Sequence, residues 1–330
     1  MWYCRILEFL RTVMHQKVRL VTMKLPIHHE NKAAFEHARL LTAHFSKSFY
    51  ISAKMLPREK RWSTYALYGF CRYVDNLIDN PRHRTENELL MEADFIGKEL
   101  AIAYRSGESE HPILKSFIVV AKHYDIPIEY PLDLLKGVVM DIQRSRYQNF
   151  DDLYLFAYRV AGVVGLMMTH VLGFKNREAL KYAEKLGIAM QLTNILRDIR
   201  EDKNMNRIYL PQDELLQFGV NEKDIMAEHM TPEMHALMKF QVERAQQYYD
   251  EANPGIRLLA PESRFAIYSA SKIYNGILHK IEKRDYNPFL GRVFVPQMKK
   301  IGILAQEVLR SRLEVIQESL APKHYTMANE

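Results

Sequence analysis

Gln191-Leu-Thr-Asn194-Ile-Leu-Arg197-Asp198-Ile-Arg-Glu201-Asp202 is the stretch from which the rest of the chain is read. It ends a helical pattern that opens near Asn176, a residue suited to capping a helix N-terminus. On a helix, Gln191, Asn194, Asp198 and Asp202 are spaced by three, four and four, so they share one face. Two carboxamides and two carboxylates in one stripe pack poorly. They suit a hard, oxygen-seeking cation such as Mg²⁺. Arg197 lies one residue round from Asp198, and a cation beside such a stripe suits a bound phosphate or diphosphate. A solvated polar face is the plainer reading, and this stretch alone leaves it open.

A second stretch repeats the pairing. In Cys71-Arg72-Tyr-Val-Asp75-Asn-Leu-Ile-Asp79 two aspartates again lie four apart, with Arg72 one turn before Asp75. About one Asp-x-x-x-Asp pair is expected by chance in a chain of this composition. Here two stand out, each at the C-terminal end of a predicted helix and each with an Arg within a turn. Carboxylates there face the negative end of the helix dipole, which a bound cation would offset.

With 330 residues, 48% of them hydrophobic, the chain can bury a large core. Two cysteines, Cys4 and Cys71, exclude a disulfide scaffold and a cysteine metal site and fit a reducing compartment. No run approaches 18 apolar residues, so no span of a membrane is expected. The net charge of +6 points to anionic partners. The basic residues are dispersed and no nucleic-acid motif accompanies them, which leaves anionic lipid surfaces and diphosphates.

Residues 1–30 hold Arg5, Arg11, Lys17, Arg19 and Lys24 against Glu8 and Glu30, half the net charge of the chain. Trp2, Ile6, Phe9, Leu10 and Val13 could line one face of an interfacial helix. An upstream start codon, with Met23 as the natural beginning, explains the same segment. Helical patterns then run from Asn31 through Phe45, and from Pro57 to a stop at Asn80-Pro81. Others follow at about 85–105, 113–124, 131–147, 152–172, 177–201, 232–251, 262–283 and 296–318, punctuated by Pro, Gly and Asn-Pro. Arg292–Pro296 is the one credible strand. The expectation is an all-α domain over 31–320 with a polar tail at 321–330. Gly162, Gly165, Ala183, Gly187 and Ala189 put small residues at one-turn spacing on two helices that lead toward acidic ends. They fit either tight helix packing or a slot for an apolar chain with a charged mouth. Asp141, Arg144 and Arg146 read as a surface cluster.

From about Lys32 to Lys300 the chain resembles the squalene/phytoene synthase family of head-to-head prenyl transferases. The matching words are HFSKSF at 44–49, YGFCRYVDNLID at 68–79, YRVAGVVGLMM at 158–168, QLTNILRDIRED at 191–202 and NRIYLP at 206–211. The resemblance implies an isoprenoid synthase-type helical bundle around a central cavity, with the two Asp motifs facing each other. It implies that two prenyl diphosphates are joined through their first carbons by way of a cyclopropyl diphosphate. Carried over position by position, Asp75, Asp79, Asn194, Asp198 and Asp202 would hold Mg²⁺, with Mn²⁺ as a substitute. Ser46, Lys47, Ser48, Phe49, Tyr68, Arg72, Gln191 and Arg197 would grip the diphosphates, joined by Tyr274 and Arg292 in a less regular segment. Ala53, Tyr65, Phe156 and Gly187 would line the prenyl chain pocket. Several members carry a tyrosine where this chain has Phe156, which cannot move a proton, and Tyr158 would then stand in.

Phytoene synthase chemistry leads: two geranylgeranyl diphosphates and no NADPH, at an anionic membrane surface in the cytoplasm. A C30 synthase using farnesyl diphosphate is the runner-up. A non-catalytic assembly factor of the same fold is the remote alternative, against which the intact aspartates speak.

Overall fold

A computed structural model describes residues 25, 27, 29–79 and 84–320, apart from the side chains of 78, 79 and 318–320. Most of residues 1–30, and all of 321–330, therefore lie outside the described residues. The chain is all-α. After a short turn at His29–Asn31 come α1 (Lys32–Phe45), α2 (Lys47–Lys54), α3 (Arg58–Asp79), α4 (Glu86–Ser106), α5 (Pro112–His123) and α6 (Glu129–Gln143). Then follow α7 (Phe150–Leu172), α8 (Glu178–Asn204), α9 (Gln212–Phe218), α10 (Glu222–Met226), α11 (Pro232–Ala252), α12 (Pro261–Glu282) and α13 (Gln297–Leu320).

Local chemistry sets these limits. Thr85 and Glu88 form a reciprocal capping box at the start of α4, and Gly107 ends it in the left-handed conformation. Asn149 accepts from the Asp152 N–H at the start of α7, and Thr231 caps α11 just before Pro232. Asn176 accepts from the Glu178 N–H at 3.0 Å, so it shapes the entry to α8 from one residue outside the cap position. Arg292–Pro296 joins no strand ladder; among the described residues only isolated bridges occur, so the expected strand is absent. The predicted helix at 152–172 is interrupted by a π turn at Tyr158–Gly162. The helices α9 and α10 were not expected. At seven and five residues they are too short to show a period of 3.6.

α3 runs through the middle and buries Tyr65, Ala66, Leu67, Phe70, Val74 and Leu77, the wide apolar arc of a central helix. Phe70 stacks on Phe117 of α5 with ring centroids 4.1 Å apart. Each such side chain stabilises the fold by about 1.5–3 kcal/mol through burial. α7 and α8 touch backbone to backbone. A Cβ on Gly165 would sit 2.6 Å from the Ala183 carbonyl oxygen, and one on Gly187 2.4 Å from that of Ala161. The small-residue stripe is thus a packing device, and the same residues also line the internal cavity. α7 has the length and apolarity of a membrane-crossing helix, although no continuous apolar run marks it in the sequence. Half of it is buried inside the protein against these neighbours.

Candidate active site

A cavity of about 590 Å³ lies between α2, α3, α7, α8, α12 and α13. Its volume falls within the range of ligand pockets, roughly 300–1,000 Å³. Along α8 it is lined by Ala179, Tyr182, Ala183, Leu186, Gly187, Met190, Gln191 and Asn194, a stripe with helical spacing. Its walls are apolar around Ala53, Leu56, Val164, Leu172, Ile267 and Leu304. At the other end Ser46, Ser48, Tyr68, Asp75, Gln191, Asn194, Tyr274 and Lys300 supply polar groups. Both Asp-bearing helices therefore contribute to one chamber, since Asp75 comes from α3 and Asn194 from α8.

At the polar end, Tyr68 stacks on Phe49 with centroids 5.0 Å apart, and the Arg72 guanidinium lies 4.6 Å from the Phe45 ring centroid. Burial raises the Tyr68 phenol above its ordinary value, with Arg72 and a hydrogen bond to Ser46 pulling it back. Tyr274 is raised by burial in the same way, beside Arg197, Asp198 and Arg292. Both phenols therefore stay protonated at neutral pH and can donate. Lys300 Nζ donates to Ser48 Oγ at 3.3 Å.

Asp198 is held by two guanidinium groups. Arg197 donates to it from Nε at 2.7 Å and from Nη2 at 2.5 Å, and Arg292 donates from Nη2 at 2.7 Å. Asp202, one turn on, is pushed up to about 7, first by burial and then by the charges of Asp198 and Asp141, with Arg207 opposing. Asp141 is buried, accepts from the Tyr209 hydroxyl at 2.5 Å and pairs with Arg207 at 3.5 Å. That corrects the expectation of a surface cluster: Arg144 is exposed and Arg146 is partly buried in a pair with Glu222, but Asp141 belongs to the acidic floor behind Asp202.

These features fit a divalent cation. Asn194 donates from Nδ2 to Gln191 at 3.4 Å, while its Oδ1 is buried with no hydrogen-bond partner. A buried oxygen left without a partner is free to bind a cation, and two turns further along α8 the raised Asp202 carboxyl, near Asp198 and Asp141, marks excess negative charge. Among the described residues no three His, Cys, Asp or Glu side chains converge on one point. Mg²⁺ characteristically takes only one or two carboxylates and completes its shell with water and substrate phosphates.

Arg72, Arg197, Asp198, Asp202 and Arg292 are not in the cavity lining, and three further expected site residues are packed elsewhere. Phe156 is buried between Tyr147 and Tyr209, with ring centroids 5.3 Å from each, and does not reach the cavity. Tyr65 points away from it to stack on Tyr50 at 5.3 Å and meet Trp62 edge-on. Tyr158 packs between the two main core clusters near Asp133 and Glu184, where burial raises its phenol. Tyr65 and Tyr158 differ from the cavity-lining Thr64 and Val160 by one and two positions, and Phe156 lies four before Val160, with the π turn at Tyr158–Gly162 shifting the helical phase between them. Lys47 is exposed and not in the lining. Asp79 closes α3, and its side chain lies outside the described residues. Ala53 and Gly187 do line the cavity. Sequence reading missed Tyr182, Gln297 and Lys300. Lys300 follows Arg292 by eight residues, but only the path of the loop before α13 brings it to Ser48.

A family model described as squalene/phytoene synthase matches residues 42–299. The 15-cis-phytoene synthase of Synechococcus elongatus is 36% identical over 290 residues, 84% of this chain and 93% of that one. Phytoene synthase 1, chloroplastic, of Arabidopsis thaliana is 36% identical over 296 residues, 87% of this chain and 69% of that one. Among solved structures, a dehydrosqualene synthase in complex with a ligand superposes with a TM-score of 0.78 at 30% identity, covering 87% of this chain and 98% of that one. Shared motifs, matching fold and identity over most of the chain agree: this protein belongs to the squalene/phytoene synthase family of prenyl transferases.

Proposed function

We propose that this chain condenses two geranylgeranyl diphosphates head to head into phytoene, releasing both diphosphates and two protons. The observation that carries the choice of substrate is the length of the cavity. It follows α8 from Asn194 to Ala179, fifteen residues, or about 22 Å at the helical rise. An extended chain gains about 1.2 Å per bond, so the main chain of a C20 prenyl group spans roughly 18 Å and that of a C15 group roughly 13 Å. Ala53, small and buried in the wall, leaves that length open. Tyr182 lies twelve residues from Asn194 along α8, about 18 Å, where the tail of a C20 chain would end. It is wedged there: a Cβ on Gly255 would overlap its ring at 2.1 Å.

The residues divide by chemistry. Arg72, Arg197, Arg292 and Lys300 supply fixed positive charge for phosphate oxygens, and Ser46, Ser48, Tyr68, Gln191 and Tyr274 supply donors. Asp75, Asp79, Asn194, Asp198 and Asp202 would hold divalent ions, Mg²⁺ or Mn²⁺, which when bound neutralise a departing diphosphate. The allylic cation left behind would sit among Val164, Leu186 and Ile267, away from water. The likeness to a dehydrosqualene synthase favours a second reading, in which two farnesyl groups are joined instead. Incubation with geranylgeranyl diphosphate alone, with and without chelator, tests the assignment. A metal-dependent C40 hydrocarbon is the expected product, and its absence under conditions where the protein is folded would overturn the reading.

A further inference from the structure

The outer side of α13 has no role in the site, although its inner side supplies Lys300, Ile301 and Leu304 to the cavity wall. Met298, Leu309, Leu313 and Ile316 are all more than half exposed, and Met298 reaches 77%. At 100° per residue these four, with Gly302 and Ala305, fall within one narrow stripe about 27 Å long. Phe294 and Leu290, also exposed, precede it in the loop.

The charges of the helix are sorted around this stripe. Lys299 and Arg312 flank it on opposite sides, and no acid lies on that face between Gln297 and Gln317. Glu307 and Glu314 turn inward instead. Glu307 is fully buried and pairs with Lys272, and Glu314 pairs with Arg310 and Arg264. From Gly291 to Gln306 the chain has Arg292, Lys299 and Lys300 and no acid. α4 makes a useful contrast. Met91, Phe95 and Ile102 are exposed there too, but among Glu86, Glu88, Glu92, Asp94 and Glu99, which would repel anionic lipid.

We infer that the outer face of α13, with Phe294 and Leu290 ahead of it, is the surface by which this protein docks on an anionic lipid bilayer. An apolar row bordered by cations is the pattern of a helix lying in the membrane interface. The alternatives fit worse on charge. A second copy would set like charges together, and residues 1–24, with five Lys and Arg against one Glu, would meet a face of their own sign. The inference rests on the proposed function only for its purpose: a wall of the cavity would lie against the phase that takes up a water-insoluble hydrocarbon.

The test uses the full chain and flotation with vesicles of phosphatidylcholine alone or mixed with phosphatidylglycerol. The expected result is binding to the anionic vesicles that falls with added salt. Leu309→Ser with Leu313→Ser should weaken it, and Lys299→Glu with Arg312→Glu should weaken it by more than about tenfold. Both variants should keep the wild-type melting curve and turnover of detergent-dispersed substrate. Wild-type flotation by both variants overturns the assignment, as does equal binding to neutral vesicles. So does light scattering that shows either variant dissociating an oligomer, which would make the face an interface between copies. Failure of flotation with turnover intact counts against this inference alone; loss of turnover in the wild type counts against the proposed function.

Discussion

Arg292 and Asp198 are separated by 94 residues in the chain, yet the guanidinium donates to the carboxylate at 2.7 Å. Arg197 grips the same carboxylate from the adjacent position, so two cations share one anion at the edge of the chamber. Such a group can exchange partners without large movement: metal on the carboxylate, diphosphate on the guanidiniums. Asp198→Asn should therefore lower turnover by about a hundredfold or more, the scale seen when a preorganised charge-stabilising group is lost. Steady-state assays with Mg²⁺, beside circular dichroism showing unchanged helix, check this. Near-normal turnover of the variant would count against the site.

Asp202 predicts a pH dependence in the chelator-treated protein. Its carboxyl is pushed up to about 7 in the fold, against 3.8 for an unperturbed carboxyl. Between those values the folded state holds a proton that the unfolded state has released, so stability declines as pH rises from about 4 to about 7 and then levels off. Melting temperatures taken across that window should show the decline. Added Mg²⁺ should raise the melting temperature more at pH 8 than at pH 5, and Asp202→Asn should flatten the profile.

Phe156 and Tyr65 serve the core and not the pocket. Phe156→Ala should destabilise the protein by about 3–5 kcal/mol, the usual cost of emptying a packed aromatic site. Product length should not change. Denaturant unfolding together with chromatography of the products separates the two effects, and a variant of wild-type stability that made shorter product would return Phe156 to the pocket.

Ala53 and Tyr182 should set chain length from the wall and the far end. Ala53→Phe would fill the cavity, so condensation of C20 substrate should be lost, because overpacking an apolar slot is costly. Tyr182→Ala should open space beyond the C20 tail and raise turnover of a C25 diphosphate relative to C20. Competition assays with substrates of the two lengths read both effects as ratios.

The sequence made legible what depends on spacing within one helix. The two aspartate stripes, the helix limits near Thr85, Pro232 and Pro261, and the small residues that let α7 and α8 touch follow from local periodicity and capping. What stayed hidden depends on neighbours far along the chain. Asp141 reads as a surface charge until Tyr209 and Arg207 fold over it. Tyr65 and Thr64 are adjacent on α3, yet only Thr64 faces the cavity, and choosing between them requires knowing what lies on each side. Lys300 reaches Ser48 only because the segment before α13 returns the chain to α2. The π turn at Tyr158–Gly162 has no signature in the residue pattern, and it changes which residues of α7 face inward.

The most direct measurement offers the purified protein an equal mixture of farnesyl and geranylgeranyl diphosphates with Mg²⁺, with and without NADPH, and identifies the hydrocarbons extracted. A cavity of this length, with Ala53 in its wall and Tyr182 one turn before its end, predicts C40 phytoene as the main product, in the same yield whether or not NADPH is present. Formation of C30 products alone from that mixture would contradict the account and establish the farnesyl reading in its place.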